Sequence, residues 1–263
     1  MNMDNISDIE RDMDELRHVF PDPLGLPSNA DVFFNHPTAK KLVARGQQSV
    51  VLLLHFLENV PDPSLVRPAV LLLSRFAPPT FYPILLGLLQ KADQPTTEAF
   101  EFGLWLIQVP EAQIARDLVR VVVASGSPHP LLLLQRPVAK VVRPELQSFV
   151  KKRQLPLSLY ALYCYRYALE QEDIPLLTMV SKWIDVPALS ALAGLCLLKL
   201  GSKEGLVGIR AGLMSPNEQL RTNTYYELAE YLPKTAITRS GYDPVKPNEA
   251  AIDVLMEHLG SVS

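Results

Sequence analysis

Cysteine is scarce, with only Cys164 and Cys196 in 263 residues. One pair cannot frame a chain of this size, so its core must come from apolar burial, and two free core thiols suit a reducing compartment. Tryptophan is equally rare, and aromatic residues reach only 8 %. No uninterrupted apolar run approaches the ~20 residues that a membrane-spanning helix needs. The chain opens on carboxylates rather than on a basic segment followed by an apolar one. A soluble, cytoplasmic protein is expected, with no secretory signal and no membrane as a partner. Neither sign of charge is in large excess, the net being −3, so the chain as a whole offers nucleic acid or anionic lipid no general attraction.

Catalytic and metal-binding spacings are missing as well. His18, His36, His55, His129 and His258 are scattered, without the His-Glu-x-x-His or Cys-x-x-Cys pattern that brings ligands onto one ion. Gly205, Gly208 and Gly212 lack the companions of a phosphate-cradling loop, which leaves close helix approach or a local distortion as their reading. Ser148-Phe149-Val150-Lys151 fits Ser-x-x-Lys but has no accompanying motif, and Gly-x-Ser-x-Gly does not occur. The chain is not expected to be an enzyme, and no metal or cofactor is expected.

What the sequence does contain is apolar residues, at 48 %, and 23 prolines. Residues 1–20 place Ile6, Ile9, Met13, Leu16 and Phe20 at helical spacing, with Asp4, Asp8, Glu10, Asp12, Asp14 and Glu15 among them. This is an acidic amphipathic helix, either packed on the domain or free to dock elsewhere. Pro21, Pro23, Gly25 and Pro27 make 21–35 a linker. From residue 36 to 263 helical segments follow in pairs, headed by Pro63, Pro95, Pro128, Pro156, Pro187 and Pro216 at a period of roughly thirty residues. Asp62-Pro63 is a cap followed by proline, and Ser215 with Glu218 forms a Ser-x-x-Glu capping box around Pro216. Residues 189–198 are apolar all round, as an interior helix must be, whereas 111–124 turn Ile114, Leu118, Val121 and Val122 inward and Gln113, Arg116, Asp117 and Arg120 outward.

Asp62-Pro63-Ser64-Leu65-Val66-Arg67-Pro68-Ala69, and Ser215-Pro216 with Leu220-Arg221, resemble the Asp-Pro…Val-Arg…Ala signature of short HEAT repeats. Such repeats occur in phycobilisome-lyase-like and many other bacterial helical-repeat proteins. Gly241-Tyr242-Asp243-Pro244, ahead of a last helix to Leu259, is similar to the endings of bacterial HEAT-repeat chains. The resemblance covers roughly residues 36–263, although two of the six units carry the arginine. It implies an all-α fold: an α-solenoid of about six HEAT-like helical hairpins, an armadillo-like superhelix whose usual work is to hold other macromolecules.

The expected function is therefore a non-enzymatic protein–protein interaction scaffold or adaptor, with a protein partner held along the surface of the second helices. A nucleic-acid-binding HEAT protein and a chromophore-lyase-like accessory subunit are the alternatives. Nucleic acid is not the expected partner. Helical-repeat DNA glycosylases set an acidic residue one turn from a tryptophan on a basic face, whereas here Val109 follows Trp105 by one turn and Glu101 precedes it. Candidate partner-binding residues are Arg116 and Arg120, the basic cluster Arg136, Lys140, Arg143, Lys151, Lys152 and Arg153, and the tyrosines Tyr160, Tyr163 and Tyr167, which share one helical face.

Overall fold

The computed structural model describes residues 3–19, 28–59, 62–76 and 81–261. Expectations resting on Phe20 and on the breakers of 21–27 lie outside those residues. Among the described residues every regular element is helical, and no helix is long and apolar enough to cross a membrane. The chain divides into two compact units, Met1–Val142 and Arg143–Ser263. The N-terminal helix belongs to the first unit.

In that unit α1 (Met3–Arg17) buries Ile9, Met13 and Leu16 completely. It packs on α3 (Pro37–Ala44), α4 (Gln47–Asn59) and α5 (Pro63–Leu73). Asp12 is 3 % exposed and accepts twice from Lys41 Nζ, at 3.1 and 3.2 Å, as a buried carboxylate requires. Asp8 pairs with Arg11 and Asp14 with Arg17, each at 2.8 Å. The acidic helix is accordingly a wall of its own unit, with its charges used locally. The expected linker is also shorter than 21–35, because α2 (Ser28–Asn35) fills its second half. Past Pro27 there is neither proline nor glycine until Pro37, and Phe33 supplies a side chain that is fully buried, edge-on to Phe34 at 5.2 Å.

Asp62 and Asp93 cap α5 and α7 (Gln94–Leu106), accepting from the backbone N–H groups of Ser64 at 2.9 Å and Thr96 at 3.0 Å. Those hydrogen bonds hold both carboxyls below the usual carboxylate range, so their capping is complete at neutral pH and is lost only as acid protonates them. Between them lies α6 (Tyr82–Leu89), and α8 (Glu111–Ser125) follows. Ile114, Leu118, Val121 and Val122 of α8 face inward as expected. Asp117, expected outward, is buried. Its carboxylate accepts from Tyr82 Oη at 3.2 Å, Gln113 Nε2 at 2.9 Å and Arg120 Nη1 at 2.7 Å, which together offset its desolvation. The segment headed by Pro128 is not one α-helix but two 3₁₀ segments, His129–Leu134 and Pro137–Val142. Pro137 has no N–H to donate and its ring would crowd the carbonyl four residues back, which disfavours a continuous α-helix through it.

The second unit contains α9 (Arg143–Lys151), α10 (Leu157–Tyr165), α11 (Ile174–Ser181) and α12 (Pro187–Lys199). After these come α13 (Leu206–Leu213), α14 (Glu218–Ala229), α15 (Lys234–Ser240) and α16 (Glu249–Ser261). Helix α12 is its centre: every residue from Leu189 to Leu197 is buried, with α10, α11, α13 and α14 packed around it. Glycine lets α13 come close. A Cβ on Gly208 would fall 2.1 Å from the Ser190 carbonyl oxygen, and one on Gly194 would fall 2.5 Å from that of Gly205.

Ser215 and Pro216 precede α14 instead of opening it. Asn217 is the cap, its Oδ1 accepting from Leu220 N–H at 3.0 Å, while Ser215 Oγ accepts from Asn217 N–H at 3.2 Å. The Ser215 carbonyl accepts from Arg221 Nη1 at 2.7 Å. Asn217→Ala should therefore lower stability by about 1 kcal/mol in urea unfolding, and Asn217→Asp should leave it near wild type.

Candidate binding surface

The cations grouped by their sequence positions fall into different environments. In the first unit Arg116 is exposed on α8, and Arg120 is spent on Asp117. Arg136 lies over the Trp105 ring at 4.6 Å with Glu111 at 3.9 Å, and Lys140 is exposed on the second 3₁₀ segment. In the second unit Arg143 is an internal strut. It pairs with Glu170 at 2.9 Å and with the fully buried Asp173 at 2.6 Å. Gln147 joins Asp173 at 3.0 Å and the Tyr165 hydroxyl at 2.7 Å, and Glu170 N–H donates to Asp173 at 2.8 Å. Removing Arg143 would strand a buried carboxylate, so its role is structural. Lys151, Lys152 and Arg153 stand exposed at the end of α9.

The tyrosines lead to a cleft. Tyr160 and Tyr163 are half-buried on α10, whereas Tyr165 is wholly buried, its hydroxyl pushed up by burial and by Asp173. Tyr167 lies just beyond the helix. Between Tyr163 and Tyr167 sits a residue that the sequence did not single out: Arg166, whose guanidinium lies over both rings, at 5.2 and 5.3 Å. Arg166 Nη1 also donates to both carboxylate oxygens of Glu227 on α14, at 3.2 and 3.3 Å. The pair spans a cleft of ≈ 300 Å³.

Leu192, Leu195 and Cys196 of α12 line this cleft beside Arg166 and Tyr167. Glu227, Glu230 and Tyr231 line it from α14 and the residues just after it, and Lys199 completes it. Lys199 Nζ donates to the Arg166 carbonyl at 3.2 Å. Burial pushes the Cys196 thiol up to about 12, so it remains protonated at neutral pH and is a poor nucleophile. Burial and the carboxylate of Glu227 raise the Tyr163 hydroxyl, which therefore stays a neutral donor. The arrangement combines aromatic faces, two carboxylates and two cations above an apolar floor. It is equipped for recognition by stacking and paired hydrogen bonds.

A second cleft, of ≈ 310 Å³, lies in the first unit among Arg17, Ser64, Arg67 and Glu98. There Arg17 is drawn to Asp14 and Asp62, and Gln94 donates to Glu98 at 2.9 Å. Compared with protein-family models, with curated proteins and with solved structures, the chain matches none.

Proposed function

We propose that this chain is a non-enzymatic interaction scaffold, an α-solenoid of HEAT-like helical hairpins that holds a protein partner. The solenoid reading is supported by the order of packing in the second unit. Helix α10 touches α12 and α12 touches α14, and α11 touches α13, so alternate helices succeed one another up to α14, while α13 meets α16 beyond α15. In a stack of hairpins each unit contacts mainly its neighbours, and the rows between them are where extended partners lie.

The observation that carries the binding reading is the Arg166–Glu227 cleft across α10, α12 and α14. On this reading the partner lies along the first helices of the pairs, where the sequence suggested the second. Tyrosines supply large contact area with little rotamer freedom to lose, and arginine stacked on tyrosine is a recurrent anchor. Arg120, Arg136 and Arg143 are each held by a carboxylate, which weakens the nucleic-acid alternative.

The test is affinity capture from a lysate of the native source, with wild type and a Tyr231→Ala/Lys199→Glu variant in parallel. A protein retained stoichiometrically by wild type, and bound about tenfold more weakly by the variant, is the expected result. Equal retention by both, or nucleic acid recovered in place of protein, would reject the cleft as the partner site.

A further inference from the structure

We propose that the end of the second unit where α9 and α11 finish is a separate docking surface for an acidic, apolar segment of a partner protein. Helix α9 ends at Lys151 and runs on into Lys152 and Arg153; α11 ends at Ser181, with Lys182 as its C-cap. Arg153 joins the two ends. Its guanidinium lies over the Trp183 ring at 5.2 Å and pairs with Asp185. That contact brings the chain just after α9 and the chain just after α11 near one another.

The patch has an apolar and a cationic part. Leu155 is 55 % exposed and Ile184 59 % exposed. Asp185 is neutralised by Arg153, so Lys151, Lys152 and Lys182 leave the surface positive. Lysine at a helix C-terminus complements the helix dipole, which accounts for the three ammonium groups. It does not account for two large aliphatic side chains held in water beside them.

Charge complementarity selects the occupant: carboxylates for the lysine rim, with an aliphatic or aromatic side chain against Leu155 and Ile184. The chain's own acidic helix is already committed, since Ile9, Met13 and Leu16 are buried and Asp12 is held by Lys41. A bilayer fits less well. The Asp185 side chain, 67 % exposed next to Ile184, would have to enter the acyl region, and the Trp183 ring is covered by Arg153. The patch shares no residue with the Arg166–Glu227 cleft, so the two stand or fall separately.

The full chain is titrated with a fluorescent peptide of alternating glutamate and leucine. Binding should weaken as salt is raised, weaken by about tenfold or more in Lys151→Glu/Lys152→Glu, and weaken by about fivefold in Leu155→Ser/Ile184→Ser. Circular dichroism of both variants checks that helix content is kept. No binding, or binding unchanged in either variant, overturns the proposal, as does equal binding of polyglutamate, which would reduce the effect to charge alone. Co-sedimentation with phosphatidylserine vesicles that Lys151→Glu/Lys152→Glu abolishes, and that the peptide does not displace, would reassign the patch to lipid. Affinity for the peptide that persists in Tyr231→Ala/Lys199→Glu supports a surface independent of the cleft.

Discussion

Replacing Gly208 with alanine is expected to lower the stability of the chain by about 3 kcal/mol, the upper part of the range for overpacking a close interface. The added methyl would stand 2.1 Å from the Ser190 carbonyl oxygen, 2.8 Å from its carbonyl carbon and 3.1 Å from the Ser181 oxygen. All three are backbone atoms, so no rotamer change relieves the overlap. Helices α12 and α13 would have to separate, and Ser190 Oγ, which donates to the Ser181 carbonyl, sits at the same point. Gly87→Ala is the matching control. It lies exposed inside α6 with no atom within 4 Å of its absent Cβ, and the change should add about 0.5–1 kcal/mol by removing chain entropy from the unfolded state. Urea unfolding of both variants decides the matter. Wild-type stability in Gly208→Ala would mean that the two helices do not meet as closely as described.

That contact was partly legible in the sequence. Gly205, Gly208 and Gly212 recur at helical spacing without a phosphate-loop motif, which leaves close helix approach or a local distortion. Helix α12 was legible from its unbroken apolar run, and α8 from its periodic one. Local pattern failed where a distant residue decided the outcome. Asp117 follows the polar side of α8, yet Tyr82, 35 positions earlier, draws it inside. Arg143 belongs to a basic run in sequence, but Asp173, 30 positions later, makes it an internal strut. In the cleft, Tyr163 and Tyr167 were visible as part of a tyrosine face. Arg166 between them was not, because its importance comes from Glu227, 61 positions away. The recurrent prolines were legible as markers while their roles were not: Pro63 and Pro187 open helices, Pro128 leads into a 3₁₀ segment, and Pro216 stays outside α14.

Arg221→Met is expected to cost about 3 kcal/mol, at about 1.5 kcal/mol for each of two short charge-assisted hydrogen bonds lost. The residue comes five positions after Pro216 and is only 6 % exposed. Its guanidinium donates from Nε to the Pro244 carbonyl at 2.6 Å and from Nη1 to the Ser215 carbonyl at 2.7 Å, with the Val245 carbonyl at 3.5 Å from Nη2. One planar fork thus ties the turn before α14 to the segment before α16. Tyr242 reinforces that tie, its hydroxyl donating to the Leu213 carbonyl at 2.8 Å and its ring lying 5.0 Å from that of Tyr225. Lysine keeps the charge but presents a single point of donation, so Arg221→Lys should recover less than half of the loss. Because the acceptors are carbonyls, added salt should not reproduce the effect of the mutation, as it would for an exposed ion pair. Limited proteolysis gives a local readout: in Arg221→Met the segment 243–248 should be cut well before wild type is. An unchanged cleavage pattern together with unchanged urea stability would refute the clamp.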